Sequence, residues 1–397
     1  MKALILDANS TAGLETIQSL GRNGCVVDTI DFRPGLFQHR SRFIRRQIEL
    51  ASTEDEAIRE LIDLFRTEKY DLIVPTTEVS LLQMLSPEIP DDMYERAVLA
   101  PRGSVQTALN KQAVWMLARS LGVRVPSSEM VSYSSPPPDT FPVVLKPIRS
   151  KTRTSGVVRN FAVTIAQDLM LWRAALASIY SGMQVQQQQY IAGKGFGVEM
   201  LFDHGTLRWA FAHERVHELP LTGGGSTYRV SIGLQEDIVR DATLLLSALQ
   251  WHGVAMVEFR VTASGEAYLM EINPRLWGSL ALGIDCGVNF PVGLLRLATK
   301  QPLSPQPKYR TGYFTRNLSR DIQWFKANLL ADHSNRLLLT KPIVSSAIEW
   351  FRPLAGKESW DFFCWSDLGV ILGELKTVAE DHLRWIFNAL MRRNRHL

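Results

Sequence analysis

The first hundred residues alternate between two hydrophobic patterns. Continuous apolar runs, KALILDA at 2–8, CVVDTIDF at 25–32 and DLIVPT at 71–76, read as buried strands. Between them, GLETIQSLGRNG and EDEAIRELIDLFRTEKY repeat apolar residues three and four apart, which predicts amphipathic helices. This alternation predicts a small parallel sheet in an α/β domain over residues 1–100. A helix over 110–122 follows, with Asn110 as N-cap and Gly122 just past its end. SSPPPDTFP reads as a linker, and VVLKP at 143–147 returns to strand. Later, GTLRWAFA alternates with period two. Two apolar runs, 254–261 and 267–272, flank Ser264-Gly265 as a two-residue hairpin turn.

That turn sets a register. Val257 then faces Ile272, Phe259 faces Met270 and Val261 faces Tyr268, all on one apolar face. The other face opposes Glu258 to Glu271, and Asn273 points the same way as Glu271. Like charges so opposed are destabilising, so the pair calls for a cation. Glu, Glu and Asn supply the hard oxygen ligands that Mg²⁺ prefers. The plainer alternative is an exposed polar face whose acids are kept apart by water or Arg260.

Composition narrows the class. The chain has 397 residues, enough for two or three domains, with 46% hydrophobic and 21% charged residues. A net charge of +4 makes no general case for nucleic acid. No apolar run reaches the ~18 residues of a membrane span. MKALILDANS meets Asp7 too early for a signal peptide. Cys25, Cys286 and Cys364 form no ligand pattern, and a cytoplasmic setting is expected. DANSTAG lacks the GxGxxG spacing, so a dinucleotide site finds little support. Arg33, His39, Arg40, Arg42, Arg45 and Arg46 form a basic cluster, read either as a solvated surface or as a seat for an anionic acceptor.

HERVH at 213–217 matches the H-E-x-x-H zinc-hydrolase pattern. Zinc binding there needs a helix, so that both histidines share a face. The preceding strand periodicity, Pro220 and TGGGS leave no room for one, and Arg215 disfavours a dication. A zinc hydrolase through His213 and His217 is therefore a remote alternative.

Taken in order, NK at the head of a helix, VVLKP, VQQQQYIAGKGFGVEM, VEF and MEINPR resemble the ATP-grasp ligases over roughly residues 1–300. The EINPR form is similar to the branch that holds carbamoyl-phosphate synthase, biotin carboxylase and L-amino acid ligases. The D-amino-acid-ligating branch has arginine where Met256 stands. The resemblance implies a Rossmann-like pre-ATP-grasp domain (1–100) and a small lobe with its preceding helix (101–190). A large lobe with the metal and substrate site (191–300) and a helical, Trp-rich C-terminal extension (301–397) complete the expected α/β (in the grasp lobes α+β) architecture. It also implies an ADP-forming carboxylate–amine ligase that uses ATP with Mg²⁺ or Mn²⁺.

Residue by residue, the resemblance implies ATP contacts from Lys111, Lys146, Ser155, Gln188, Gln189 and Ile191. Ser155 belongs to a mobile loop, 149–156, that also offers Lys151 and Arg153. Lys146 on an apolar strand and Lys111 at a helix start are both badly placed for cations, and a triphosphate accounts for both. Glu258, Glu271 and Asn273 would hold the metal. Arg275, Arg215 and Arg229 are the catalytic candidates, with Arg275 favoured for the acyl phosphate. Gly224, Gly225 and Ser226 would line the substrate, and Glu78, just past a strand's end, would meet the amine. Two departures stand out: glutamine at 188, where many members have glutamate, and Gly195, where several carry a ribose-binding glutamate. Glu199 or Gln187 would then take the ribose.

Expected partners are a small-molecule carboxylate and amine (amino acid, peptide or sugar acid), with no nucleic acid, and the chain could form a homodimer. The extension carries five of the ten tryptophans and ends in MRRNRHL. It is read as a packing subdomain, or as a dock for a membrane or protein through Trp385, Phe387, Arg392, Arg393 and Arg395. A nucleotide-binding scaffold or sensor without turnover is the main functional alternative.

Overall fold

The computed structural model describes residues 1–31, 41–50, 54–148, 151–154, 157–160, 163–179 and 185–393, without the side chains of 54–55, 151–154, 157–160, 178–179 and 381–393. The N-terminal part is a four-stranded parallel sheet of β1 (Lys2–Leu6), β2 (Val26–Ile30), β3 (Ile44–Ile48) and β4 (Leu72–Pro75), in the order β3-β2-β1-β4. Helices α1 (Thr11–Arg22) and α2 (Glu54–Glu68) connect strands, and α3 (Glu78–Met84) starts where β4 ends. Thr77 caps α3, its hydroxyl accepting from the Ser80 amide at 3.3 Å.

The sequence pattern missed β3, because Arg45, Arg46 and Gln47 are exposed on this edge strand. Two members of the basic cluster turn out to be paired within the fold. Arg45 lies 2.6 Å from the buried Asp28 and Arg46 lies 3.0 Å from Glu68. Arg33, His39 and Arg40 lie outside the described residues.

Helix α4 (Lys111–Ser120) leads into a small antiparallel sheet of β5 (Ser128–Val131), β6 (Val143–Pro147), β9 (Thr164–Ala166) and β10 (Val185–Gln189), ordered β5-β10-β6-β9. Strands β7 (Lys151–Thr154) and β8 (Val157–Asn160) form a separate hairpin. The large sheet has seven strands: β11 (Lys194–Asp203), β12 (Thr206–Leu219), β13 (Gly225–Ile232), β14 (Gly253–Val261), β15 (Ala267–Asn273), β16 (Phe314–Arg316) and β17 (Glu358–Trp360). Their order is β15-β14-β11-β12-β13-β16-β17. One face packs on Val114 and Ala118 of α4 and on the helix Glu236–Ala248. The other face packs on the helices Leu280–Cys286 and Phe290–Ala298 and on the N-terminal sheet, through Trp209, Phe211, Trp277 and Phe290.

Two expectations are corrected. The 253–273 hairpin has a five-residue turn: Gly265, at φ +86°, donates its amide to the Thr262 carbonyl, and Thr262 Oγ1 accepts from the Glu266 amide. Val257 does face Ile272 and Glu258 does face Glu271, but a bulge beyond Glu258 then pairs Phe259 with Leu269 and Val261 with Ala267. The bulge lets Leu269 and Ala267 reach the core with Ile272, which a strict period of two forbids. Second, residues 301–397 are not a purely helical appendage, because β16 and β17 complete the large sheet. Helices α5 (Leu318–Leu330) and α6 (Leu368–Arg393) then pack alongside them.

Candidate active site

The pairing of β14 with β15 brings the Glu258 and Glu271 carboxylates together. Asn273 Nδ2 donates to both, at 2.9 Å to Glu258 Oε1 and 3.1 Å to Glu271 Oε1. Burial raises the Glu258 pKa, Arg215 opposes that, and Glu271 adds to it. Glu271 also resists burial, but Lys111, the Asn273 amide and Lys146 bring its pKa below the usual range. Lys111 Nζ stands 3.7 Å from Glu271 Oε2, and Arg215 forms an ion pair with Glu258. The acids are thus held apart in charge by cations from three elements. Two carboxylates and a side-chain amide gathered this closely are residue types suited to a hard divalent cation.

Lys146 is buried in β6 opposite Gln186 of β10, which leaves its ammonium without a hydrogen bond or ion pair among the described residues. Burial, then Lys111, push it down to about 8, with Glu271 opposing. Its charge is complete below that value and is lost as pH rises through it. On the ATP-binding role that the resemblance implies for Lys146, the KM for ATP is expected to rise above pH 8, and Lys146→Arg, whose guanidinium stays charged, is expected to flatten that rise. Initial rates across pH measure both.

The glutamine run divides by strand parity. Gln188 pairs with Val144, so Gln186, Gln188 and Lys146 share one face of the small sheet. Gln187 faces the other way, where its carbonyl accepts from Trp172 at 2.6 Å and its amide donates to Glu129 at 2.6 Å. As placed, it does not face a ribose on the Lys146 side. The Gln189 amide donates to the Ser127 carbonyl at 2.8 Å, and Tyr190 and Ile191 follow the strand's end. Ser155 lies outside the described residues.

A cleft beside the carboxylates is lined by Glu78, Lys111, Glu271, Asn273 and Arg275. The sequence therefore named five residues, from the start of α3, the start of α4, and β15 with the loop after it, that the fold gathers at one cavity. Arg275 Nη1 donates to the Leu276 carbonyl at 2.8 Å, which fixes one end of its guanidinium.

Residues 184–320 match the family described as ATP-grasp in the biosynthetic pathway with Ter operon. No curated protein matches by sequence. Among solved structures, the chain is similar to the L-amino acid ligase from Bacillus licheniformis (TM-score 0.61, 18% identity, 79% of this chain and 78% of that one). It is also similar to N5-carboxyaminoimidazole synthetase from Staphylococcus aureus (TM-score 0.61, 14% identity, 89% and 97%). A third is the biotin carboxylase β,γ-ATP complex from Campylobacter jejuni (TM-score 0.61, 13% identity, 79% and 74%). The chain has the ATP-grasp fold.

Within the ATP-grasp large sheet, Gly195 has a steric reason. A Cβ there would lie 2.7 Å from Arg215 Cδ, and one on Gly197 would lie 2.3 Å from His213 Cε1. The two glycines let Arg215 and His213 lie across β11, and this brings the guanidinium to Glu258. Glu199, expected at the ribose, is fully buried, with Ser279 donating to it at 2.8 Å and His213 Nδ1 lying 3.0 Å away.

HERVH lies in β12, as its periodicity predicted. A register shift between Arg215 and His217 sets Arg215 opposite Arg229 but His217 opposite Tyr228. Neighbouring residues of β13 point to opposite faces, so His217 leaves the face of Arg215 and His213. His217 meets Asp321 and Glu349 instead, and the two histidines cannot share an ion. Among the described residues, the one group of three His, Cys, Asp or Glu side chains within reach of a common ion is Asp203, His204 and His252, which includes neither histidine of the motif.

Arg215 also donates to the Gly224 carbonyl at 2.9 Å, while Glu218 accepts from the Gly224 amide at 3.2 Å and pairs with Arg260 at 3.2 Å. The sequence reading missed Glu218; a second register shift after His217 gives it this position, and no residue pattern signals such a shift. Gly224 and Gly225 lie at this turn, and the Ser226 hydroxyl donates to the Tyr228 carbonyl at 3.1 Å. Arg229 sits away from the cleft. It is fully buried and paired with Asp361, which reaches it from the C-terminal segment.

Proposed function

We propose that the chain is an ADP-forming ligase that activates a substrate carboxylate as an acyl phosphate and passes it to an amine. The observation that carries this reading is the Glu258–Glu271–Asn273 cluster faced by Lys111 and Lys146. A pure scaffold has no need of such a set. In the first step a carboxylate oxygen attacks the γ-phosphorus of ATP, a P–O bond forms, and ADP leaves. In the second, the amine nitrogen attacks the acyl carbon, phosphate leaves, and the amine loses a proton.

Glu258, Glu271 and Asn273 would hold Mg²⁺ or Mn²⁺, which when bound neutralises phosphate charge. Lys146 and Lys111 bind phosphate oxygens, so that negative charge gathering on the transferred group meets fixed cations. Gln188, on the Lys146 face, and the Gln189–Ile191 backbone meet adenine. Arg275 holds the acyl phosphate at the cleft. Arg215 positions Glu258 and the glycine turn, where Gly224, Gly225 and Ser226 receive the substrate. Glu78 has no hydrogen bond or ion pair among the described residues, and it lines the same cleft from the first turn of α3. An unpaired carboxylate there favours an acceptor with an ammonium group, such as an amino acid or peptide. Arg229 is reassigned from catalysis to holding the sheet against Asp361.

The test is ADP release from Mg-ATP over a panel of carboxylates, with and without mixed amines. ADP that appears only with a particular carboxylate and amine supports the ligase. Tight ATP binding with no ADP under any pair favours the scaffold.

A further inference from the structure

We infer that Asp203, His204 and His252 form a binding site for a late first-row divalent cation, Zn²⁺ above all, at the tip of the β11–β12 hairpin. The sequence holds the three residues in two short stretches, Phe202-Asp203-His204-Gly205 and Trp251-His252-Gly253. In each, the histidine is followed by a glycine in the left-handed region, Gly205 at φ +80° and Gly253 at φ +87°. His204 itself sits at φ +46°, where a two-residue hairpin turn ordinarily takes asparagine or glycine. Either would serve the turn as well, so the turn does not account for the imidazole.

Backbone bonds hold the two stretches together. The Gly205 amide donates to the Trp251 carbonyl at 2.6 Å, and the Gly205 carbonyl accepts from the Ser247 hydroxyl at 2.9 Å. The two imidazoles stack with centroids 4.0 Å apart and 30° between planes. Both present Nδ1 to one carboxylate oxygen: Asp203 Oδ1 lies 2.9 Å from His204 Nδ1 and 3.6 Å from His252 Nδ1. Tetrahedral zinc, with bonds of ~2.0–2.1 Å, holds its ligand atoms ~3.3–3.4 Å apart. The two measured separations bracket that value, and the potential ligand atoms of all three residues lie within 4.8 Å of one another. The ion replaces the Asp203–His204 Nδ1 contact and the long 3.3 Å bond that the His204 amide donates to His252 Nδ1. A neutral imidazole that binds through Nδ1 keeps its proton on Nε2.

Two imidazoles and one carboxylate suit zinc and its neighbours, whereas Mg²⁺ prefers oxygen alone. Burial, then His204, push the His252 pKa down to about 4 against the pull of Asp203, so its ring is neutral and able to coordinate at neutral pH. Arg208 Nη1 lies 3.6 Å from the other carboxylate oxygen, Oδ2. It leaves Oδ1 to the ion, and its charge keeps the affinity below that of a closed structural site. His204 is exposed, so water completes the coordination shell. The site is separate from the Glu258–Glu271 cluster: β11 pairs Gly197 with Glu258, and Asp203 ends the strand ~20 Å further on. An ion here ties the hairpin to the loop after the helix Glu236–Ala248.

The probe is Zn²⁺ itself. Metal-free full-length protein is titrated with zinc chloride against a chromophoric chelator, with excess Mg²⁺ present to compete at the Glu258–Glu271 cluster. A single equivalent is expected to bind wild type and Glu271→Gln alike, and to bind His204→Asn and His252→Gln at least about tenfold more weakly. Asparagine keeps the turn conformation, so metal-free His204→Asn should match wild type in melting temperature and in Mg-ATP-dependent activity. Zinc should raise the melting temperature of wild type by a few degrees and leave that of His204→Asn unmoved. Zinc binding that His204→Asn leaves intact, or that Glu271→Gln removes, overturns the inference. So does a wild-type protein that retains no zinc at micromolar concentrations.

Discussion

Glu271→Gln is expected to lower Mg-ATP-dependent ADP formation by at least about 1,000-fold, or ~4 kcal/mol of transition-state stabilisation. The substitution removes one of two carboxylates that a divalent cation would need, and it leaves Lys111 and Lys146 facing a neutral amide. The fold should survive. Glutamine keeps an acceptor for the Asn273 amide, and the loss of like charge opposite Glu258 offsets part of the lost attraction to Lys111. The melting temperature should therefore fall by only a few degrees. Circular dichroism and a coupled ADP assay on the same preparation separate the two effects. Turnover retained in this variant would sink the metal assignment.

His217→Ala is expected to be the most destabilising single change, at about 3–5 kcal/mol. Both ring nitrogens lie 2.9 Å from a carboxylate, one on Asp321 and one on Glu349. The ring stacks on Trp324 with centroids 3.4 Å apart and 7° between planes. Truncation leaves two buried acids, Asp321 and Glu349, without their shared imidazole partner and opens a cavity against an indole. Burial works against Glu349, but His217 and Lys341 bring it down to about 2. A depressed folded-state value stabilises the protein above the ordinary carboxylate range, and that contribution is lost as pH falls toward 2. Without His217, Glu349 should protonate at higher pH, which moves acid unfolding upward. Urea melts across acidic pH check both statements. A variant as stable as wild type would show that the network contributes little.

The alternation of apolar strands and amphipathic helices was legible because each of those strands is buried on both faces. Strand β3 escaped notice because its exposed arginines look like surface until Asp28 and Glu68 are placed beside them. Lys146 was legible as a misplaced cation, and the Glu258–Glu271 opposition followed from pairing the strands outward from a turn. That derivation had the turn length wrong and the site pair right, since the bulge beyond Glu258 absorbs the shift. The register shifts in β12, which separate His213 from His217 and bring Glu218 to Arg215, leave no mark in composition or period. The strands after residue 300 were hidden for a different reason. Each is three residues long, and they contain Arg316 and Glu358, which are buried only because they pair with each other and with Asp321 and Tyr228.

The central claim is that a carboxylate oxygen takes the γ-phosphoryl group of ATP. The direct measurement labels the carboxylate that elicits ADP release with ¹⁸O and follows the phosphate product by mass spectrometry. One labelled oxygen in the phosphate is the result this account requires. Unlabelled phosphate, or AMP and pyrophosphate in place of ADP, would contradict it.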